Sequence, residues 1–124
     1  MTEPDGELVI RITAMPTDLN PYGGVFGGWL MSQLALGASS LVSRLTGSKA
    51  VVVGATDFHF PGAMAVGDVL SVYAEVARTG RTSMTIKVQG IARTRAGETL
   101  TPVADGQFTF VVLDENDRPR TLAS

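Results

Sequence analysis

Residues 15–37 read MPTDLNPYGGVFGGWLMSQLALG, a proline- and glycine-rich loop running directly into a stretch without charge. From Gly28 to Thr46 the only charged residue is Arg44. A surface helix carries a charged face opposite its apolar stripe, so a helix without that face is expected to be covered on most of its circumference. Trp29, Leu30, Leu34, Leu41, Val42 and Leu45 recur at helical spacing, and the segment is too long for an ordinary strand. Gly47 is a fitting stop. The stretch predicts one long helix wrapped by a sheet.

On either side the pattern changes period. Glu7 to Thr13 (ELVIRIT) is β-branched and partly alternating, which predicts a strand. Ala50 to Val53 is an apolar run that continues through Gly54 to Phe60 as a second strand ending at Pro61, and Gly62 to Gly67 is a turn. Three strands of antiparallel character follow, in DVLSVYAEVARTG (68–80), RTSMTIKVQGIAR (81–93) and TPVADGQFTFVVLD (101–114). In the first of these, Leu70, Val72, Ala74 and Val76 share one face, and Val69, Ser71, Tyr73, Glu75 and Ala77 the other. The polar tail from Glu115 to Ser124 is expected to be loosely held. The order of strand, helix and four strands predicts an α+β domain over residues 1–124, with one sheet face on the helix. The free sheet edge favours a homo-oligomer; a solvated face is the alternative.

Composition narrows the chemistry. The formal charge is −2 over 124 residues, and the 10 Lys and Arg form no run, so no footprint for nucleic acid is present. There is no Cys and one His, which excludes disulfides, thiolate nucleophiles and a histidine metal cluster. The start MTEPDGELVI is acidic and has no basic region before an apolar run, unlike a signal peptide. Polar residues interrupt the helix at Ser32, Gln33, Ser39, Ser40, Ser43 and Arg44, against a membrane span. A cytoplasmic protein without membrane partners is expected.

With these elements in place, the chain resembles the hotdog-fold acyl-CoA thioesterases, in particular the small bacterial acyl-CoA hydrolases of the YciA type. The residues that carry the resemblance are MPTDLNPYGGVFGGWLMSQ (15–33), DFHFP (57–61), VGDVL (66–70), GRTSMTIKV (80–88), FTFVVLD (108–114) and RPR (118–120), in order along nearly the whole chain. The resemblance implies a five-stranded antiparallel sheet around a central helix. It also implies edge-to-edge dimers that assemble further, active sites at the dimer interface, and an acyl-CoA substrate. No cofactor is implied beyond coenzyme A as part of substrate or product.

Thioester hydrolysis needs a positioned water or nucleophile and donors for the developing oxyanion. A helix N-terminus offers free amides and a positive dipole end. The resemblance makes the Gly27 amide the oxyanion donor, whereas the residues alone allow Gly23, Gly24, Gly27 and Gly28 to serve only a tight loop and close packing. Asn20 matches a polar position of the family's active-site loop, where it would orient water or contact the thioester. Before Pro21 it also fits a plain turn residue, as does Asp18.

One position departs from the family. Related proteins show MSQMD or similar on the helix, with Asp as general base or nucleophile; here the residues are Met31, Ser32, Gln33, Leu34 and Ala35. Three explanations stand for Ala35: a relocated acid, for which Asp57 and Asp18 are the candidates; binding of acyl-CoA without hydrolysis; or an inactivating change. Loss of a positioned base costs roughly 100- to 10,000-fold in rate.

For substrate binding the resemblance points to Phe58, His59 and Pro61 and to the turn Gly80, Arg81, Thr82 and Ser83, where Arg suits phosphate. Arg118 and Arg120 are further phosphate candidates. A solvated hairpin Arg, a strand carboxylate paired with a cation and a structural His are the plainer readings of the same residues. HFPG (59–62) also resembles the histidine segment of hotdog hydroxyacyl thioester dehydratases, but there the segment precedes the central helix and here it follows.

Overall fold

The computed structural model describes residues 4–122. The acidic first residues and the end of the tail lie outside them. The elements are β1 (Glu7–Thr13), a single 3-10 turn (Pro16–Asp18), α1 (Gly27–Thr46), β2 (Lys49–His59), β3 (Val69–Thr79), β4 (Ser83–Arg93) and β5 (Leu100–Leu113). The five strands form one antiparallel sheet in the order β1-β3-β4-β5-β2. The last three strands are a meander of hairpins. The two edge strands, β1 and β2, are the ones joined through α1, so the helix leaves one edge, crosses the sheet face and returns to the other.

Period-two patterning decides which residues meet the helix. Met84, Ile86 and Val88 of β4 pair with Phe110, Phe108 and Gly106 of β5, and all six are buried on the helix side. From the helix, Leu30, Leu34, Gly37, Ala38, Leu41 and Val42 complete the core. Each fully buried Leu, Val or Phe contributes about 1.5–3 kcal/mol. Gly37 brings α1 close to the sheet, since a Cβ there would lie 2.7 Å from Val9 Cγ2 and 3.3 Å from Val72 Cγ1.

Val76 shares the helix-side register of Leu70, Val72 and Ala74, opposite Ile86, as expected, and is exposed next to an irregularity between Val76 and Arg78. Two expectations are corrected. The sheet covers one side of α1 only: Ser32, Leu36 and Ser40 face outward, Leu36 at 62% exposure, because this face is uncharged without being buried. The tail is tied down as far as Leu122. Asp114 N–H donates to Arg118 O (2.7 Å), Arg120 N–H to Val112 O (2.8 Å) and Leu122 N–H to Arg81 O (2.8 Å), while Lys49 pairs with Asp117. Polar composition concealed these backbone bonds. Among the described residues no helix is long and apolar enough to cross a membrane.

Candidate active site

The loop before α1 is built by its own polar groups. In the 3-10 turn, Asp18 Oδ2 accepts the Met15 N–H at 2.8 Å. Asn20 then closes a tight loop. Its Oδ1 accepts the N–H groups of Tyr22 (2.8 Å) and Gly24 (3.2 Å), and its own N–H donates to Gly24 O (2.7 Å). Gly23 takes φ +97°, a conformation glycine adopts without strain. Val25 N–H donates to Met64 O (3.1 Å) and Phe26 N–H to Asp18 O (2.8 Å), which fixes the loop against the β2–β3 connection.

The helix that follows has no side-chain cap. Ser, Thr, Asp or Asn normally fills the N-cap position and satisfies a free amide; here it is Phe26, with extended backbone (φ −68°, ψ 131°) and no capping bond. Among the described residues nothing accepts the N–H groups of Gly27 and Gly28. The two glycines differ in what requires them. A Cβ on Gly28 would lie 2.4 Å from Phe26 Cε2, so a side chain there would have to displace the aromatic ring. A Cβ on Gly27 would meet nothing within 4 Å, and its φ lies outside the left-handed region. Among the described residues no packing contact beyond its chain neighbours calls for glycine at 27. Close packing, the plainer reading of the sequence, accounts for Gly28 but not for Gly27.

Ala35 lies eight residues further along, roughly 12 Å up the axis, on a half-buried flank packed against the core. Three carboxylates are already engaged within the fold. Asp18 caps its turn, Asp68 accepts the N–H groups of Ala65 (3.0 Å) and Arg95 (3.3 Å), and Glu7 binds Arg44 at 2.7 Å. Asp57 has no hydrogen bond or ion pair among the described residues. It sits at an irregularity of β2, between Thr56 and His59 in the ladder, with φ +56°. β2 runs back along α1 from a short turn, so Asp57 returns to the level of the helix N-terminus. It lines an open groove of about 380 Å³ with His59, Lys87, Gln89, Asp105 and Gln107 on the sheet face away from the helix.

The remaining sequence candidates divide between the two ends of the molecule. His59 Nδ1 lies 3.3 Å from Asp105 Oδ1, and Pro61 is exposed in the following loop. Phe58 turns to the helix side, its ring across Gly106 and 4.8 Å from that of Phe108. Gly80, Arg81, Thr82 and Ser83 form the β3–β4 hairpin, with Gly80 N–H on Ser83 O (2.8 Å) and Arg81 exposed. This hairpin stands at the other end of α1, where Thr79, Met84, Leu45, Thr46, Arg120 and Leu122 line one cleft. A helix of 20 residues is about 30 Å long, so one subunit does not bring hairpin and Gly27 together. Arg120 is already engaged, donating to Thr46 O (2.7 Å) and Ser48 Oγ (2.6 Å). Arg118 remains exposed at the turn. Sequence reasoning missed Phe26, although an aromatic residue directly before Gly-Gly at a helix start, in place of a polar cap, was there to be read.

One long helix laid across a five-stranded antiparallel sheet, with open amides where the helix begins, defines a hotdog domain of the kind that handles thioesters. The chain belongs to the thioesterase superfamily, whose family model matches residues 22–99. It is 42% identical over 116 residues to an uncharacterized acyl-CoA thioester hydrolase of Zymomonas mobilis, a match covering 94% of this chain and 78% of that one. With the acyl-CoA thioester hydrolase YciA of Salmonella typhimurium it shares 36% identity over 122 residues, 96% of this chain and 92% of the relative. Among solved structures it superposes with TM-score 0.92 and 37% identity on a hexameric broad-specificity acyl-coenzyme A thioesterase, determined as an aspartate-to-alanine mutant, over 96% of this chain and 88% of that one.

Proposed function

We propose that the protein hydrolyses an acyl-CoA to the free acid and coenzyme A, in the cytoplasm, as a homo-oligomer built from dimers. The observation that carries this reading is the Gly27 amide: a donor without an acceptor among the described residues, beside open space, at a glycine no packing contact calls for. The relatives' names supply the substrate class, and the hexameric state of a solved relative supports assembly. Assembly also answers the separation of about 30 Å between hairpin and helix N-terminus, because the arginine that holds the nucleotide can come from a neighbouring subunit.

In this mechanism the thioester carbonyl oxygen accepts from the Gly27 N–H, where the helix dipole favours the negative charge that develops. Water attacks the carbonyl carbon, the C–S bond breaks, and the sulfur leaves as the thiolate of coenzyme A, taking up a proton. Asn20 has its Oδ1 committed to the loop, which leaves its Nδ2 to orient the thioester or the water. With alanine at 35, the base is a carboxylate from elsewhere. Asp57, unpartnered among the described residues, faces away from Gly27 within its own subunit, so it serves only when a neighbouring subunit presents it across the edge strand.

A second reading, binding without hydrolysis, is favoured by Ala35, whose methyl group cannot accept a proton. One experiment separates the two: acyl-CoAs from acetyl to palmitoyl are incubated with the protein and free thiol is followed beside an equilibrium binding measurement. Turnover that falls at least 100-fold in Asp57→Asn supports hydrolysis with a relocated base. Binding without thiol release from any acyl-CoA, together with turnover gained in Ala35→Asp, establishes the second reading.

A further inference from the structure

We propose that the Phe26 ring forms the wall of the acyl pocket and sets which acyl chains the site accepts; the proposal rests on the thioester reading of the Gly27 amide.

Phe26 is 54% exposed although it lies next to the core residue Val25. Leaving such a side chain in water forgoes part of the stabilisation its burial would contribute. Its backbone is nevertheless held on both sides. The N–H donates to Asp18 O (2.8 Å), and the carbonyl accepts from Trp29 N–H (3.0 Å) and Leu30 N–H (3.2 Å). The ring lies across the first helical turn, with Cε2, Cδ2 and Cζ at 2.4, 3.0 and 3.1 Å from the position of a Gly28 Cβ. Gly28 has no positive φ, and the ring occupies the space its Cβ would need. The chain thus keeps an exposed aromatic and a helix glycine together, and the two hold a flat apolar surface beside the open space at Gly27.

That placement is what an acyl thioester needs. A carbonyl on the Gly27 N–H puts the first carbons of its chain within reach of the neighbouring residue, and the neighbour offers an apolar face in one orientation. Phe26 is anchored through its backbone, and its ring rests over Gly28. An apolar wall at this place meets the chain next to the carbonyl and selects by length and branching.

The test measures kcat and KM for straight-chain and branched acyl-CoAs by thiol release in the wild type and in Phe26→Ala, Phe26→Leu and Phe26→Tyr, with folding checked by circular dichroism. Phe26→Ala is expected to shift the ratio of kcat/KM for long over short chains by about 10-fold or more. Phe26→Leu should shift it less and Phe26→Tyr should keep the wild-type profile. A fall by one common factor at every chain length overturns the proposal, since a structural role or a contact with the shared coenzyme moiety acts on all substrates alike. Should no acyl-CoA be turned over by the wild type, the hydrolysis reading fails by itself, and the same comparison is made on dissociation constants. There too, a chain-length-dependent shift supports the wall and a uniform shift overturns it. Phe26→Leu keeps the test open if the alanine variant does not fold.

Discussion

The two ends of α1 are treated differently by the same chain. At the C-terminal end everything is closed: Gly47 turns with φ +66° and donates its N–H to Ser43 O (2.8 Å), Thr46 Oγ1 donates to Val42 O, and the Arg120 guanidinium binds Thr46 O. At the N-terminal end the cap is an exposed phenylalanine and two amides have no protein acceptor. The fold closes one helix terminus with its own groups and leaves the other open, and it is the open one that the proposed reaction uses.

The sharpest way to break this contrast is Gly27→Pro. Proline is favoured at the first helical position, Phe26 already has the extended backbone that a following proline requires, and a side chain there meets nothing. The substitution therefore deletes one N–H and little else. Thiol release should fall about 100- to 1,000-fold in kcat, the effect of losing one oxyanion donor, with the melting temperature unchanged at equal protein concentration. An unaltered kcat would remove the Gly27 amide from the mechanism.

Arg120→Ala probes the closed end and should do the reverse. It removes two charge-assisted bonds, so denaturant unfolding should show a loss of about 1.5–3 kcal/mol while kcat per folded subunit is retained. A raised KM for acyl-CoA at full stability would instead assign Arg120 to the nucleotide. Gly47→Ala is the smallest change. Alanine in the left-handed conformation costs about 1–2 kcal/mol, read as a lower unfolding midpoint with activity intact.

Much of the fold was legible because it follows from local signals. The helix starts at the Gly-Gly pair and ends at Gly47 as the pattern of apolar residues and glycines indicates, and β1 coincides with ELVIRIT. Fold class and family followed from the same stretches. Of the candidate site only the local structure was legible: Asn20 closes the loop and Gly27 opens the helix. Asp57 faces away from them because a ladder irregularity puts it on the outer side of the sheet, and sequence alternation cannot show where a strand slips its register. Arg120 looked like a phosphate ligand because its carbonyl partner, 74 positions earlier, becomes visible only once the helix end and the tail meet in space.

The strand order has a consequence for the order of assembly. Pairs within β3–β4–β5 join neighbours in the chain, whereas Lys49 pairs with Leu113 and Glu7 with Ala74, so both edges close large loops. Loop closure must precede the contacts that reward it, which makes the meander the expected early part of folding and the edges the late part. The loop bearing Asn20 and Gly27 is strung between those late edges. In native-state hydrogen exchange it should open with β1 and β2 at lower free energy than β4, which leaves the site-bearing loop free to adjust over a meander that stays shut.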